Sequence, residues 1–297
     1  MKRFLVRNTP GFVFLTPWLI GFFCLALGPI LASLFLSFTH YDMVADPRWI
    51  GLDNYLYMFG RDRRFWKALG VTFSFVALAV PARLIMALAV AMLLDKGLRT
   101  ISFYRAIFYL PSLLGASIAI AILWRQLFLA DGVVNKVLAL VGFEGPAWIS
   151  DPHTALYTLV VLAVWQFGAP MLIFLAGLRG IPRDLYEAAE IDGTPKWRQF
   201  TRITLPLLAP VIFFNLVLQT IDAFKVFSPA FIISNGTGAP SDSLLVYTVF
   251  LFNEAFKFFR MGYASALAWV LLVIIAFFTA LAFLSSKYWV HYENERD

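Results

Sequence analysis

The sequence has little charge and almost no cysteine or histidine. Only 14% of its 297 residues are charged, whereas soluble proteins carry about 25%. The single cysteine, Cys24, has no partner for an internal disulfide and excludes a cysteine-rich metal site. The three histidines are far apart, with no carboxylate or cysteine at ligand spacing. The composition therefore argues against a water-soluble globule and against a metal centre.

Motifs for nucleotide hydrolysis and nucleophilic catalysis are also missing. No Gly-Lys dipeptide occurs in the chain, so a phosphate-binding loop of the form GxxxxGK[ST] is impossible. No GxSxG nucleophile motif occurs either. The net charge of +6 comes without a basic tract, which favours cytoplasmic loops and anionic lipid as its explanation. We therefore expect no catalytic residues, no cofactor in this chain and no nucleic-acid partner.

Long apolar runs are what the sequence contains instead. Hydrophobic residues make up 61% of the chain, and the mean hydropathy is +0.77. A transmembrane helix needs about 20 apolar residues, and six runs of that length lie at 11–39, 68–94, 103–129, 154–178, 204–233 and 263–286. Strands of a β-barrel would be short and alternating. The sequence therefore predicts an all-α, polytopic membrane protein whose residues 1–297 form a single transmembrane domain.

The basic residues between the runs indicate the orientation. With the N-terminus inside, thirteen Lys and Arg residues fall in inside segments and ten in outside segments. Three arginines before the second run, Arg61, Arg63 and Arg64, oppose this arrangement. The first helix and the short second loop usually dominate, however. We therefore expect both termini to be cytoplasmic.

A charged segment with its own helix signals separates the fourth and fifth runs. Pro182 and Asp184 favour a helix start and predict a short helix over 185–189. Gly193 predicts a break, and Thr194-Pro195 would begin a second short helix that ends at Phe200. On physical grounds this segment is either a protrusion for another protein's groove or an amphipathic helix resting on lipid.

The same segment resembles a known signature. Glu187-Ala188-Ala189, Gly193 and Ile203-Thr204-Leu205-Pro206 match every position of EAA-x3-G-x9-I-x-LP. This signature is typical of the membrane (permease) subunits of binding-protein-dependent ABC importers. Segments elsewhere, such as Gly51-Leu52-Asp53-Asn54-Tyr55 and Gly262-Tyr263-Ala264-Ser265-Ala266, resemble the carbohydrate-type branch, which includes the maltose and glycerol-phosphate permeases. The resemblance covers nearly the whole chain, although residues 234–240 replace a usually tighter Gly-Gly-Pro loop.

The resemblance implies a fold, a set of partners and a site. The fold would be that of a type I ABC importer in the cell inner membrane, with a coupling (EAA) loop at 184–200. A second permease subunit, in a heterodimer, and a dimeric ATPase that binds ATP and Mg would complete the transporter. An extracytoplasmic binding protein would deliver the sugar, an oligosaccharide. The residues that contact the ATPase would be Glu187, Ala188, Ala189, Asp192 and Gly193.

Polar side chains inside the spans predict where the substrate passes. Asn215, Gln219 and Asp222 are spaced i, i+4 and i+7, so they share one helix face. Such groups either face a cavity or bond a neighbouring helix. Two further candidates, Trp165 and Gln166, lie near the middle of the fourth run, where the tryptophan would either stack on a sugar or only pack.

Arg83 is a cation in the middle of the second run. Its insertion into the membrane costs about 2.5–3.5 kcal/mol unless it is paired. Asp222 or a carbonyl freed by Pro81 are its candidate partners. Incomplete pairing of Arg83 and of Lys225 would favour an anionic sugar. Two other function classes remain open at this stage: a secondary transporter or channel that works alone, and a membrane-embedded enzyme.

Overall fold

Helices dominate the structure, a computed structural model that describes residues 14–95, 101–115 and 117–290. The helices are α1 (Phe14–Ser37), α2 (Asp53–Gly60), α3 (Arg63–Asp95), α4 (Ile101–Leu114), α5 (Ile118–Leu127), α6 (Val133–Leu140), α7 (Ala155–Trp165), α8 (Gly168–Gly180), α9 (Arg183–Ile191), α10 (Lys196–Gln199), α11 (Leu205–Phe224), α12 (Ser228–Ile233), α13 (Tyr247–Phe252) and α14 (Met261–Trp289). Two short strands, β1 (Thr39–His40) and β2 (Arg48–Trp49), pair antiparallel. The predicted all-α fold class is confirmed.

Four stretches of helix are long and apolar enough to cross a membrane. They are α1, α3, the succession α10 to α12 over Lys196–Ile233, and α14. Two more candidates consist of broken pairs, because α4 and α5 meet at 95° and α7 and α8 at 44°. The predicted third and fourth runs are therefore each divided into two helices. The start of the first run, residues 11–13, and both chain termini lie outside the described residues.

The chain divides into two compact units. The first consists of Met1–Asp62 and Leu251–Leu272. In this unit, α2 is bonded to the end of α1 and to the β1–β2 hairpin. The Asn54 amide donates to the carbonyls of Ser37, at 2.8 Å, and of Thr39, at 3.0 Å. Gly262 lies against the same hairpin, since a Cβ there would lie 2.1 Å from the Thr39 carbonyl oxygen. This close approach explains a glycine at the start of α14.

The second unit consists of Arg63–Phe250 and Val273–Asp297 and has an apolar core. The core forms where α3, α8 and α11 pack, with Ala87, Leu94, Met171, Phe174 and Leu208 almost fully buried. These are side chains of alanine, leucine, methionine and phenylalanine, whose close packing brings the three helices together. The core positions the polar faces of the same helices around a cavity.

The loop over residues 234–245 also belongs to the second unit. Its Asp242 accepts from two nitrogens of Arg64, with an Nη2–Oδ1 distance of 2.8 Å. This forked ion pair is the geometry in which arginine binds a carboxylate best. The loop whose sequence departs from the family pattern is therefore tied to the start of α3.

Candidate functional site

A cavity of about 450 Å³ lies in the second unit. Residues from α3, α4, α7, α8 and α11 line it, together with the connection to α12. Four of the six residues predicted for the substrate pathway are among them: Arg83, Gln166, Gln219 and Asp222. Ligand pockets typically have volumes of about 300–1,000 Å³ and a few polar groups among apolar ones. The cavity is therefore large enough for a small ligand.

The break between α7 and α8 lies at the wall of this cavity and has a local cause. Pro170 has no N–H, so the carbonyl of Gln166, four residues earlier, loses its helical donor. Side chains from two other helices replace that donor. Arg83 donates from Nε and Nη2, at 3.0 and 2.7 Å, and the Ser112 hydroxyl donates at 2.8 Å. The broken helix is thereby joined to α3 and α4.

The hydrogen-bond partner of Arg83 is thus neither of those predicted from the sequence, although Asp222 lies near enough to interact with it electrostatically. The structure gives Arg83 the Gln166 carbonyl, which is freed by Pro170 and not by Pro81. Asp222 lies 3.6 Å from Lys225, its neighbour at i+3. The cavity lining therefore contains two cations and one carboxylate. A ligand in the cavity would meet a positive balance of charge.

Close packing holds α4 against α8 at the break. A Cβ on Gly168 would lie 2.4 Å from the Phe108 carbonyl oxygen, so only glycine fits there. Ser112 bridges the gap, because its hydroxyl also accepts from the Ala169 N–H at 3.0 Å. Ser112 was not among the site residues predicted from the sequence. Its signal was a hydroxyl directly after Pro111 in the otherwise apolar stretch 106–114.

Two of the predicted pathway residues lie outside the cavity lining. Trp165 is half-buried and packs on Trp124, with ring centroids 5.8 Å apart. Asn215 is fully buried, and both amide atoms lack a hydrogen-bond partner in the part of the chain described. Gln219, which does line the cavity, is 6% exposed, and its Oε1 likewise has no partner among the described residues.

The segment predicted to be the coupling loop contains the two predicted helices, with different boundaries. The first, α9, begins at Arg183 with Pro182 as its N-cap, so it is longer than predicted. The second, α10, has Pro195 and not Thr194 as its N-cap. It does not end at Phe200 but continues through a π-helical turn, Phe200–Thr204, into α11. The loop is therefore in direct helical continuity with a wall of the cavity.

Gly193 is the break between α9 and α10. Its φ of +66° lies in the left-handed region that favours glycine. Its N–H donates to the Glu190 carbonyl at 3.0 Å, and the next N–H, of Thr194, reaches the Ala189 carbonyl at 2.8 Å. A glycine in the left-handed region after a helix lets the following N–H groups bond the last free carbonyls of that helix in this way.

The surface of α9 and α10 is exposed and partly apolar. Glu187, Ala188 and Asp192 are exposed, while Ala189 is half-buried. Two large apolar side chains, Ile191 and Trp197, are 88% and 73% exposed. On the inner side, the hydroxyls of Tyr186 and Thr204 share a hydrogen bond of 2.8 Å, which ties α9 to the start of the span. Ile191 and Trp197 are the apolar patch of this segment. The hydrogen bond of Tyr186 holds α9, which carries Ile191, to the start of the span.

Comparisons with known proteins agree with one another. A family profile described as "Binding-protein-dependent transport system inner membrane component" matches residues 57–290. The chain is 51% identical to the probable ABC transporter permease protein YesP of Bacillus subtilis, over 98% of this chain and 94% of that one. It is 33% identical to the lactose transport system permease protein LacF of Rhizobium radiobacter, over 97% and 96%. A bacterial alginate ABC transporter, solved in complex with an alginate pentasaccharide-bound periplasmic protein, matches with a TM-score of 0.81 and 21% identity over 96% of both chains.

Proposed function

The chain belongs to the family of binding-protein-dependent transport system inner membrane components, and we propose that it lines the path of a sugar through an ATP-driven ABC importer. The observation that carries the proposal is the cavity into which Arg83, Gln166, Gln219 and Asp222 converge. Amide groups both donate and accept, which suits the hydroxyls of a sugar. The lactose transporter permease among the relatives supports the same substrate class.

The substrate in this proposal is an oligosaccharide with a negative charge. The support is electrostatic, since Arg83 and Lys225 line the cavity and only Asp222 balances them. Arg83 uses two of its nitrogens on a neutral carbonyl and keeps its full charge. Low dielectric inside a membrane protein strengthens the attraction of such a charge for an anion. The structural relative that transports alginate is consistent with this substrate class.

The partners in this proposal are three. A second permease subunit completes the path as a heterodimer, a dimeric ATPase supplies ATP and Mg chemistry, and an extracytoplasmic binding protein delivers the sugar. The alginate transporter solved with its periplasmic protein supports the third. The exposed apolar side chains Ile191 and Trp197, in the same segment as Glu187, support docking of the ATPase on α9 and α10. Rotation of α9 would then reach the cavity through the helix that continues into α11.

Uptake by the whole reconstituted complex tests the transport proposal. Proteoliposomes containing the importer and its binding protein are given labelled neutral oligosaccharides and uronate-containing ones of equal length. We expect uptake only with ATP inside the vesicles and with the uronate series preferred. Uptake by this chain alone, without ATP, would instead indicate a secondary transporter or channel. Equal uptake of the uronate series by wild type and Arg83→Gln would contradict the proposal that the charge of Arg83 favours an anionic sugar.

Co-purification of the ATPase tests the docking surface separately. Ile191→Asp places a charge on the apolar patch, so we expect at least a ten-fold loss of bound ATPase. Leu140→Asp is the matched control, because Leu140 is 85% exposed on α6, a different helix from those of the loop. Equal loss in both variants would indicate general damage to the protein. Unchanged binding in both would refute docking at this patch.

A further inference from the structure

Asn215 is a buried amide that the fold leaves without a partner. The residue has no exposed surface, and neither Nδ2 nor Oδ1 has a hydrogen-bond partner within the described residues. A buried amide without a partner costs free energy compared with a well-packed leucine. Three of the four residues one turn away on α11, Val211, Ile212 and Leu218, are apolar. Packing alone therefore gives no reason for an amide at this position.

The position of Asn215 relates it to the cavity. It precedes Gln219 by one helical turn, or about 6 Å at 1.5 Å per residue. Gln219 lines the cavity and has an unpartnered Oε1 of its own. Asp222, one turn further on, also lines it. The polar face of α11 therefore continues beyond the cavity, toward the coupling loop, into a section that this conformation keeps closed.

Two features at the start of α11 allow that section to change shape. Pro210 lies inside the helix, five residues before Asn215, and removes one backbone hydrogen bond. The π-helical turn Phe200–Thr204 lies between α10 and α11. Prolines and π turns are the usual sites of helix bending. Motion of the coupling loop would therefore bend the helix close to Asn215.

We propose that Asn215 forms a second ligand subsite in series with the cavity, closed in this conformation and opened by movement of α11. The inference rests on the proposed transport function and adds a residue and an order of contact to it. The ligand reaches Gln219 and Asp222 first and Asn215 second, on its way to the coupling-loop side. With one donor group and one acceptor group, the amide binds a hydroxyl of the ligand and needs no charge.

Accessibility of position 215 in two nucleotide states tests the closed subsite. Cys24 is the single cysteine of the chain, so Cys24→Ser gives a background without thiols. In the reconstituted importer, Asn215→Cys is treated with 2-aminoethyl methanethiosulfonate, either without nucleotide or after trapping with ATP and vanadate. Modification is read from the mass of this chain. We expect at least a ten-fold difference in reaction rate between the two states.

Leu208→Cys is the matched control for this measurement, since Leu208 is fully buried on the same helix and packs in the apolar core. It should remain unmodified in both states. Protection of Asn215→Cys in both states, or equal reactivity in both, overturns the proposal. Equal reactivity of the two variants overturns it as well, because the helix would then be accessible everywhere.

A second variant keeps the proposal testable where the cysteine form does not assemble. Asn215→Leu removes the unpartnered amide at similar volume, so a residue with only a packing role would tolerate it. We expect a melting temperature of the complex equal to or above that of wild type, with at least ten-fold lower uptake of the oligosaccharide that wild type transports. Wild-type uptake by Asn215→Leu overturns the subsite. Failure of wild type itself to import any oligosaccharide with ATP contradicts the transport function instead.

Discussion

Arg83 owes its place inside an apolar helix to a carbonyl on another helix. An arginine in a membrane span costs about 2.5–3.5 kcal/mol without compensation. Two of its nitrogens donate to the Gln166 oxygen, which Pro170 has left without a helical donor. The defect in one helix and the charge in another therefore compensate each other. The cavity lining gains a fixed positive charge as a result.

We predict that Arg83→Met destabilises the complex, because it removes hydrogen bonds from a charged donor worth about 1.5–3 kcal/mol. Thermal unfolding of the purified complex measures the change. Arg63→Met is the control, since Arg63 is exposed at the start of the same helix. There we expect a change of less than about 0.5 kcal/mol. Equal melting temperatures for Arg83→Met and wild type would contradict a structural role of the bond.

Gly193 is a residue whose importance depends on backbone conformation and not on space. No atom lies within 4 Å of a Cβ built on it, yet its φ is +66°. We predict that Gly193→Val, which costs about 1–2 kcal/mol in the left-handed region, lowers ATP-driven uptake several-fold. Gly193→Asn should retain most uptake, because asparagine tolerates this region. Gly180→Val is the control for bulk alone, since the space around Gly180 is equally open.

At the scale of elements, the broken pair α7 and α8 organises the cavity. The two helices meet at 44°, and the carbonyl at the break binds side chains of α3 and α4. A straight helix would satisfy that carbonyl internally and would leave Arg83 and Ser112 without it. The break therefore connects three spans at the cavity wall.

We predict that Pro170→Ala makes the protein less stable and less active. The alanine N–H competes for the Gln166 carbonyl, so Arg83 and Ser112 lose their acceptor. An unpaired arginine in a span costs about 2.5–3.5 kcal/mol, and we expect a lower melting temperature and several-fold lower uptake. Pro146→Ala, in an exposed loop, should change neither quantity. Full uptake by the Pro170→Ala protein would show that transport does not need the break.

At the scale of the whole molecule, the orientation is predicted from a narrow margin of basic residues. Thirteen fall on the side assigned to the cytoplasm and ten on the other. Five of the thirteen lie at 179–202, in and around the proposed coupling loop, where an ATPase would have to dock. Orientation and docking are therefore one prediction, since a reversed chain would present α9 and α10 to the wrong compartment.

We predict that labelling from the two sides of the membrane separates the loops as this orientation requires. On the Cys24→Ser background, Asp46→Cys should react with an impermeant maleimide in right-side-out vesicles. Arg202→Cys should react only in inside-out vesicles. Both residues are exposed in the structure, so burial does not limit either reaction. The reverse pattern would invert the orientation.

The sequence by itself determined the fold class and the helix break at Gly193. Apolar runs long enough to span a membrane must form helices there, because every backbone group has to bond within its own segment. The break in the EAA segment was equally predictable, because the role of Gly193 depends on its own backbone conformation and the helix signals around it are local. The boundary at Phe200 was wrong because α10, the π turn and α11 run together without a break. The boundary at Thr194 was one residue early, since α10 begins at Lys196 with Pro195 as its N-cap.

Tertiary structure alone decided which polar residues meet. The spacing of Asn215, Gln219 and Asp222 placed them on one face, but only packing put two of them at the cavity and buried the third. The partner of Arg83 depended on a carbonyl 83 positions away in sequence. A helix face is determined by periodicity within a few residues, whereas contact between faces depends on how distant helices bend and pack.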